Sequence, residues 1–137
     1  MAQEGGCLCG AIRYSVEGKP EIKALCHCLD CRKISGGTYS TNAVYPEAAF
    51  KILQGIPKQF AKTANSENKM TSFFCGDCGS TMWRQTKAFE KGLIIKVGTL
   101  DHVDALSNAE PEVELFSPRR VAWVNAIPKA FQAQNMA

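Results

Sequence analysis

No apolar run in this 137-residue chain approaches the roughly 20 residues a helix needs to cross a bilayer, which excludes a helical membrane protein. The start, Met-Ala-Gln-Glu-Gly-Gly, has neither the basic end nor the apolar stretch of a signal peptide. The expected address is therefore the cytoplasm or another reducing compartment, where disulfides are the weaker reading of any cysteines. Low-complexity segments, a domain boundary and a long amphipathic helix are missing too. Charge of one sign is scarce: 16 basic against 13 acidic residues leave +3, too little to imply nucleic acid, though compatible with a small anionic substrate. Hydrophobic residues at 45% and charged residues at 21% exclude disorder and fit one globular domain over residues 1–137, large enough for a real core.

Cysteine is what the chain has in excess. Its seven thiols are too many for packing in a reducing compartment and odd in number, so a monomer cannot pair them all. They fall into Cys7-X-Cys9, Cys26-X-Cys28-X-X-Cys31 and Cys75-X-X-Cys78, and packing has no reason to choose such ligand spacings. Three thiolates converging on one point repel one another unless a cation sits between them, and Zn²⁺ is the usual one. Three protein ligands leave one tetrahedral corner open for chemistry, whereas four close it.

Two groupings compete. In the first, Cys7, Cys9, Cys75 and Cys78 close a structural site, and Cys26, Cys28 and Cys31 form an open one. In the second, Cys28, Cys31, Cys75 and Cys78 make a zinc ribbon and Cys7, Cys9 and Cys26 are left over. The first uses every thiol and closes the larger loop.

The pattern around the thiols is mostly β. Ile12, Tyr14 and Val16 alternate with Arg13 and Ser15 as in a half-buried strand, and Gly18-Lys19-Pro20 turns the chain toward a second strand ending near Cys26. In extended chain, Cys7 and Cys9 would face the same way and grip one ion. Residues 28–34 read as a short helical turn stopped by Gly36-Gly37. Further strands are predicted over 39–45, 50–53, 59–62, 70–74, 81–85, 93–97, 113–116 and 121–124, with an exposed polar connection over 63–69. The tail from Lys129 reads as a short helix or as disordered. Cys75-Gly76-Asp77-Cys78-Gly79, a glycine-bearing turn between strands, has the form of a zinc knuckle.

Several other residues bear on chemistry. His27, between two candidate ligands, is either a proton shuttle behind the metal or a hydrogen-bonded core histidine. Arg32, Lys33, Arg119 and Arg120 offer guanidinium and ammonium donors for substrate carboxylates, or else form solvated turns. Asp101 and His102 are candidates for general acid and base work, with a turn aspartate beside an exposed histidine as the plainer account. Trp83 and Trp123 either line a pocket or pack in the core.

The motif order resembles a known family. Gly-Gly-Cys-X-Cys-Gly at 5–10, Cys-His-Cys-X-X-Cys-Arg-Lys at 26–33, Phe-Cys-Gly-Asp-Cys-Gly-Ser at 74–80 and Val-Gly-Thr-Leu-Asp at 97–101 are similar to the glutathione-dependent formaldehyde-activating enzyme (Gfa) family, which includes centromere protein V. The resemblance covers about residues 5–123 and matches only loosely over 114–123. It implies a β-tent fold, as in Rab-accessory zinc proteins. It also implies a structural zinc on Cys7, Cys9, Cys75 and Cys78 and a second zinc on Cys26, Cys28 and Cys31, two per chain. The activity implied is carbon-sulfur lyase chemistry on glutathione or a glutathione adduct, either S-hydroxymethylglutathione or a larger S-conjugate, with a small-molecule thiol as partner. A zinc-binding module that docks a protein partner without catalysis is the alternative, and a redox sensor would need the three thiols metal-free.

Overall fold

The computed structural model describes residues 1–63, 69–89 and 91–136. It shows the mostly β class expected from the sequence, with eleven strands and one α-helix among the described residues. A three-stranded antiparallel sheet has the order β1 (Ala2–Gly6), β2 (Arg13–Glu17), β5 (Phe50–Gln54). The larger, eight-stranded sheet runs β11 (Phe131–Gln132), β10 (Val113–Leu115), β3 (Ile22–Cys26), β4 (Ser40–Pro46), β9 (Gly92–Lys96), β8 (Thr81–Thr86), β7 (Lys69–Phe74), β6 (Lys58–Thr63).

The core lies between the two sheets. Strand residues alternate faces, so Tyr14 and Val16 of the small sheet meet Ala43, Tyr45, Leu93 and Ile95 of the large one, all buried. Trp83 fills this core, with ring centroids 4.7 Å from Phe50, 5.3 Å from Phe73 and 5.7 Å from Tyr14. Trp123, by contrast, is 76% exposed.

The other face of the large sheet is concave. β3 passes directly into α1 (Leu29–Ser35), and Lys62 Nζ of the edge strand β6 reaches Asp30 Oδ1 of α1 at 2.7 Å. A flat sheet would place β6 five spacings from β3, about 24 Å away, so the sheet curls until its far edge returns to the helix. Along the concave face the strand registers stack three rows. Cys26 stands opposite Ser40, Ala24 beside Asn42 and Lys96, and Ile22 beside Val44 and Ile94.

Some expectations are corrected. Residues 2–6 form a strand that the pattern did not suggest, and Cys7 to Gly10 is a turn, not extended chain. The Cys7 amide donates to the Ile12 carbonyl and the Gly10 amide to the Cys7 carbonyl, both at 3.1 Å, with Gly10 at φ 81°. The strand predicted over 121–124 is a turn closed by the Val124 amide on the Val121 carbonyl. No sheet edge is free there, because β10 is already flanked by β3 and β11. The tail, expected helical or disordered, contributes β11, parallel to β10. The connection expected over 63–69 falls at 64–68 outside the described residues.

Candidate metal centres and substrate cavity

The four sulfurs of Cys7, Cys9, Cys75 and Cys78 lie within 4.8 Å of one another. Cys7 Sγ is 3.6 Å from Cys9 Sγ, which is 3.7 Å from Cys75 Sγ. Thiolates bound tetrahedrally to zinc at about 2.3 Å stand about 3.8 Å apart, so the cage has the size the ion requires. Two knuckle turns build it, one between β1 and β2 and one between β7 and β8. Each aims amides at sulfur: Ile12 at Cys7 (3.3 Å) and Asp77 at Cys75 (3.4 Å). Ser80 locks the turns together, since its Oγ accepts from the Leu8 amide at 3.0 Å and lies 3.3 Å from Cys78 Sγ. The Ser80 hydroxyl and backbone hold the Cys78 thiol down to about 5.

Cys26, Cys28 and Cys31 form the second sulfur group, also within 4.8 Å, with no fourth Cys, His, Asp or Glu among the described residues. Cys26 ends β3, Cys28 caps α1 by accepting the Cys31 amide at 3.3 Å, and Cys31 lies one turn into the helix. Gly36 ends the helix with φ 67°, a conformation glycine adopts without strain. Hydrogen bonds from Cys26 and Cys28 pull the Cys31 thiol down to about 2, and the same contacts, with burial, push Cys26 above the usual thiol range. The protein alone thus favours one thiolate at the expense of its neighbours. A divalent cation is what would let all three ionise together, and the donor set fits zinc.

This group faces a cavity of about 450 Å³ on the concave side of the large sheet. Asn42, Arg84, Lys96 and Arg119 line it as polar groups. Lys96 Nζ donates to Asn42 Oδ1 at 2.6 Å, and Asn42 Nδ2 donates to Ser40 Oγ at 3.0 Å. Burial lowers the Lys96 pKa, and negative charge on Cys31 works against that. Arg84 is buried and gives its Nε to Ser72 Oγ at 2.9 Å. Lys62, Asn42, Arg84 and Lys96 were not singled out from the sequence. For Asn42, Arg84 and Lys96 the signal was there, since each is a polar residue among the buried positions of its strand, whereas Lys62 lies in a strand exposed throughout.

Of the four basic residues read from the sequence, only Arg119 lines the cavity. Arg32 and Lys33 lie in the last turn of α1 outside the lining, and Arg120 is engaged by Glu114 and Gln132. His27 is fully buried on the side opposite its neighbouring thiols, as alternation along extended chain requires. Its Nε2 is 2.7 Å from Glu114 Oε1, its ring meets Tyr39 edge-on at 5.6 Å, and its Nδ1 has no partner. Asp101 is bonded to Arg13, whose Nη1 donates to Oδ1 at 3.0 Å, and its amide donates to the Glu4 carbonyl. These bonds tie it to β2 and β1 of the small sheet, and neither Asp101 nor His102 lines the cavity.

Comparison with known proteins bears on the fold and the family. The crystal structure of a Rhodobacter sphaeroides protein shares the fold with a TM-score of 0.61 at 21% identity, covering 79% of this chain and 96% of that one. The family model for the glutathione-dependent formaldehyde-activating enzyme matches residues 2–119, which contain all seven cysteines. The chain belongs to the glutathione-dependent formaldehyde-activating enzyme family.

Proposed function

We propose that the protein is a zinc-dependent carbon-sulfur lyase-type enzyme that forms or cleaves a glutathione adduct. The observation that carries this reading is a three-sulfur group lacking a fourth protein ligand among the described residues and opening on a cavity with cationic walls. Zinc held by Cys26, Cys28 and Cys31 would supply an open coordination position that keeps a substrate sulfur as thiolate at neutral pH, below the free-thiol pKa of about 8.5. A sulfur in that state adds to a carbonyl carbon in one direction. In the other, it leaves with the electrons of the C–S bond as the adduct's hydroxyl loses its proton.

The chain's own residues bind and orient. Lys96, held in place by Asn42, and Arg119 give glutathione carboxylates cationic partners inside the cavity. Cys7, Cys9, Cys75 and Cys78 would hold the other zinc, which would tie the small sheet to the β7–β8 turn and take no part in the reaction. Among the described residues no helix is long and apolar enough to cross a membrane. Seven unpaired thiols suit a reducing compartment, and we place the protein in the cytoplasm.

Zinc per chain, measured with a glutathione titration on wild type and Cys28→Ser, tests the proposal. Two zincs falling to one, with loss of glutathione binding and of adduct turnover, is the expected result. Unchanged turnover in Cys28→Ser with the second zinc gone would refute it.

A further inference from the structure

The concave face changes character with distance from the thiols. Cys26 and Ser40 form its first row, and Ala24, Asn42 and Lys96 its second. Ile22, Val44 and Ile94 form the third, four residues along β3 from Cys26 and about 13 Å away at the rise of a strand. There Val44, Met70 and Ile94 pack as a buried cluster, with Ile22, Phe89 and Met136 against it, and all six line the cavity.

A hydroxymethyl group extends one carbon and one oxygen from sulfur and cannot reach this end. Glutathione itself has no hydrocarbon part to place against these six side chains, and its amides would lie unpartnered there at a cost of several kcal/mol. Of the cations that line the cavity, Arg84, the register partner of Ile94, and Lys62, that of Met70, border the cluster but are engaged by Ser72 and Asp30.

We propose that the apolar end holds the electrophile-derived part of the substrate. The enzyme's adduct is then the hemithioacetal of an aldehyde bearing an extended alkyl or aryl group, which carries the hydroxyl the C–S step requires, and not that of formaldehyde. This rests on the thiol-site reading above and narrows its substrate. Lys96 anchors the peptide part and the Ile22–Val44–Ile94 row selects the hydrocarbon.

Calorimetric titration of the zinc-loaded protein with S-methyl-, S-butyl-, S-hexyl- and S-octylglutathione tests the assignment. Affinity should rise about fourfold per methylene from butyl to octyl, the gain for burying each one. Ile22→Ser, at a half-buried position, should remove tenfold or more of the octyl gain and leave S-methylglutathione unchanged, with both zincs retained. Lys96→Met should weaken every member by the same factor, about tenfold or more. Affinity independent of chain length, while S-methylglutathione still binds, would overturn the substrate assignment and leave the thiol site standing. Failure of glutathione and every conjugate to bind would overturn both. Equal losses across the series in Ile22→Ser would also refute the assignment.

Discussion

Replacing Glu114 with glutamine probes the carboxylate that joins the C-terminal segment to the thiol-bearing one. Glu114 is fully buried in β10. Its Oε1 accepts from His27 Nε2 at 2.7 Å and Arg120 Nε at 3.4 Å, and its Oε2 from the Ile127 amide at 2.7 Å and Gln132 Nε2 at 2.8 Å. The amide and guanidinium partners can only donate, so a carboxamide NH₂ at either position sets donor against donor. Burial alone would push the Glu114 carboxyl up. The hydrogen bonds from Gln132, Ile127 and His27 and the charge of Arg120 outweigh it and hold the carboxyl at about 2, against an ordinary 4.5. That depression corresponds to about 3 kcal/mol of folding free energy. Because the folded value lies below the unfolded one, this stability is complete above about pH 4.5 and is lost as pH falls through about 2. Urea denaturation of zinc-loaded Glu114→Gln at pH 7 should therefore show a loss of about 3 kcal/mol with an unchanged slope. The gap to wild type should close between those pH values, since metal loss in acid affects both proteins alike. Exchange at the Ile127 and Ala133 amides should accelerate while β9 stays protected. A loss under about 1 kcal/mol at pH 7, or a gap that persists below the carboxyl's folded pKa, would refute the reasoning.

Two further substitutions separate scaffold from site. In Gly5→Ala the new Cβ would stand 2.5 Å from the Thr99 carbonyl oxygen and 2.7 Å from the buried Tyr14 ring, so the melting temperature should fall by the equivalent of about 2 kcal/mol, with zinc content unchanged. An unaltered melting curve would show that β1 is not pinned as described. In Asp101→Ala the loss of a partly exposed pair with Arg13 should cost at most about 1 kcal/mol and leave kcat with the true adduct within twofold. A hundredfold loss of kcat would place Asp101 in the chemistry.

The candidate site was legible where its chemistry is local. Cys28 and Cys31 belong to one helical turn, Cys75 and Cys78 to one knuckle, and Lys96 breaks an apolar strand at an inward position. Such spacings constrain geometry within a few residues, and sequence displays them directly. The two-residue spacing of Cys7 and Cys9 marked a ligand pair, yet its turn was misread as extended chain, because i and i+2 converge in either conformation. The C-terminal segment was harder. Val121 to Val124 has strand composition but finds no open edge, whereas Phe131 and Gln132 find one beside β10. Edge availability is a property of the assembled sheet and leaves no trace in a local pattern.

By itself the sequence determined the mostly β class, the ligand sets available and a tie between distant segments, because thiol spacing and strand alternation are short-range constraints. Only the tertiary structure decided which thiols share a cage, bringing Cys7 and Cys9 against Cys75 and Cys78 and leaving Cys26, Cys28 and Cys31 to themselves. It also decided that β5 and β6, adjacent in sequence, enter different sheets, and that the large sheet curls until Lys62 meets Asp30. That curl carries Asn42, Arg84 and Lys96 from three strands to one wall of the cavity, a convergence set by sheet order and twist.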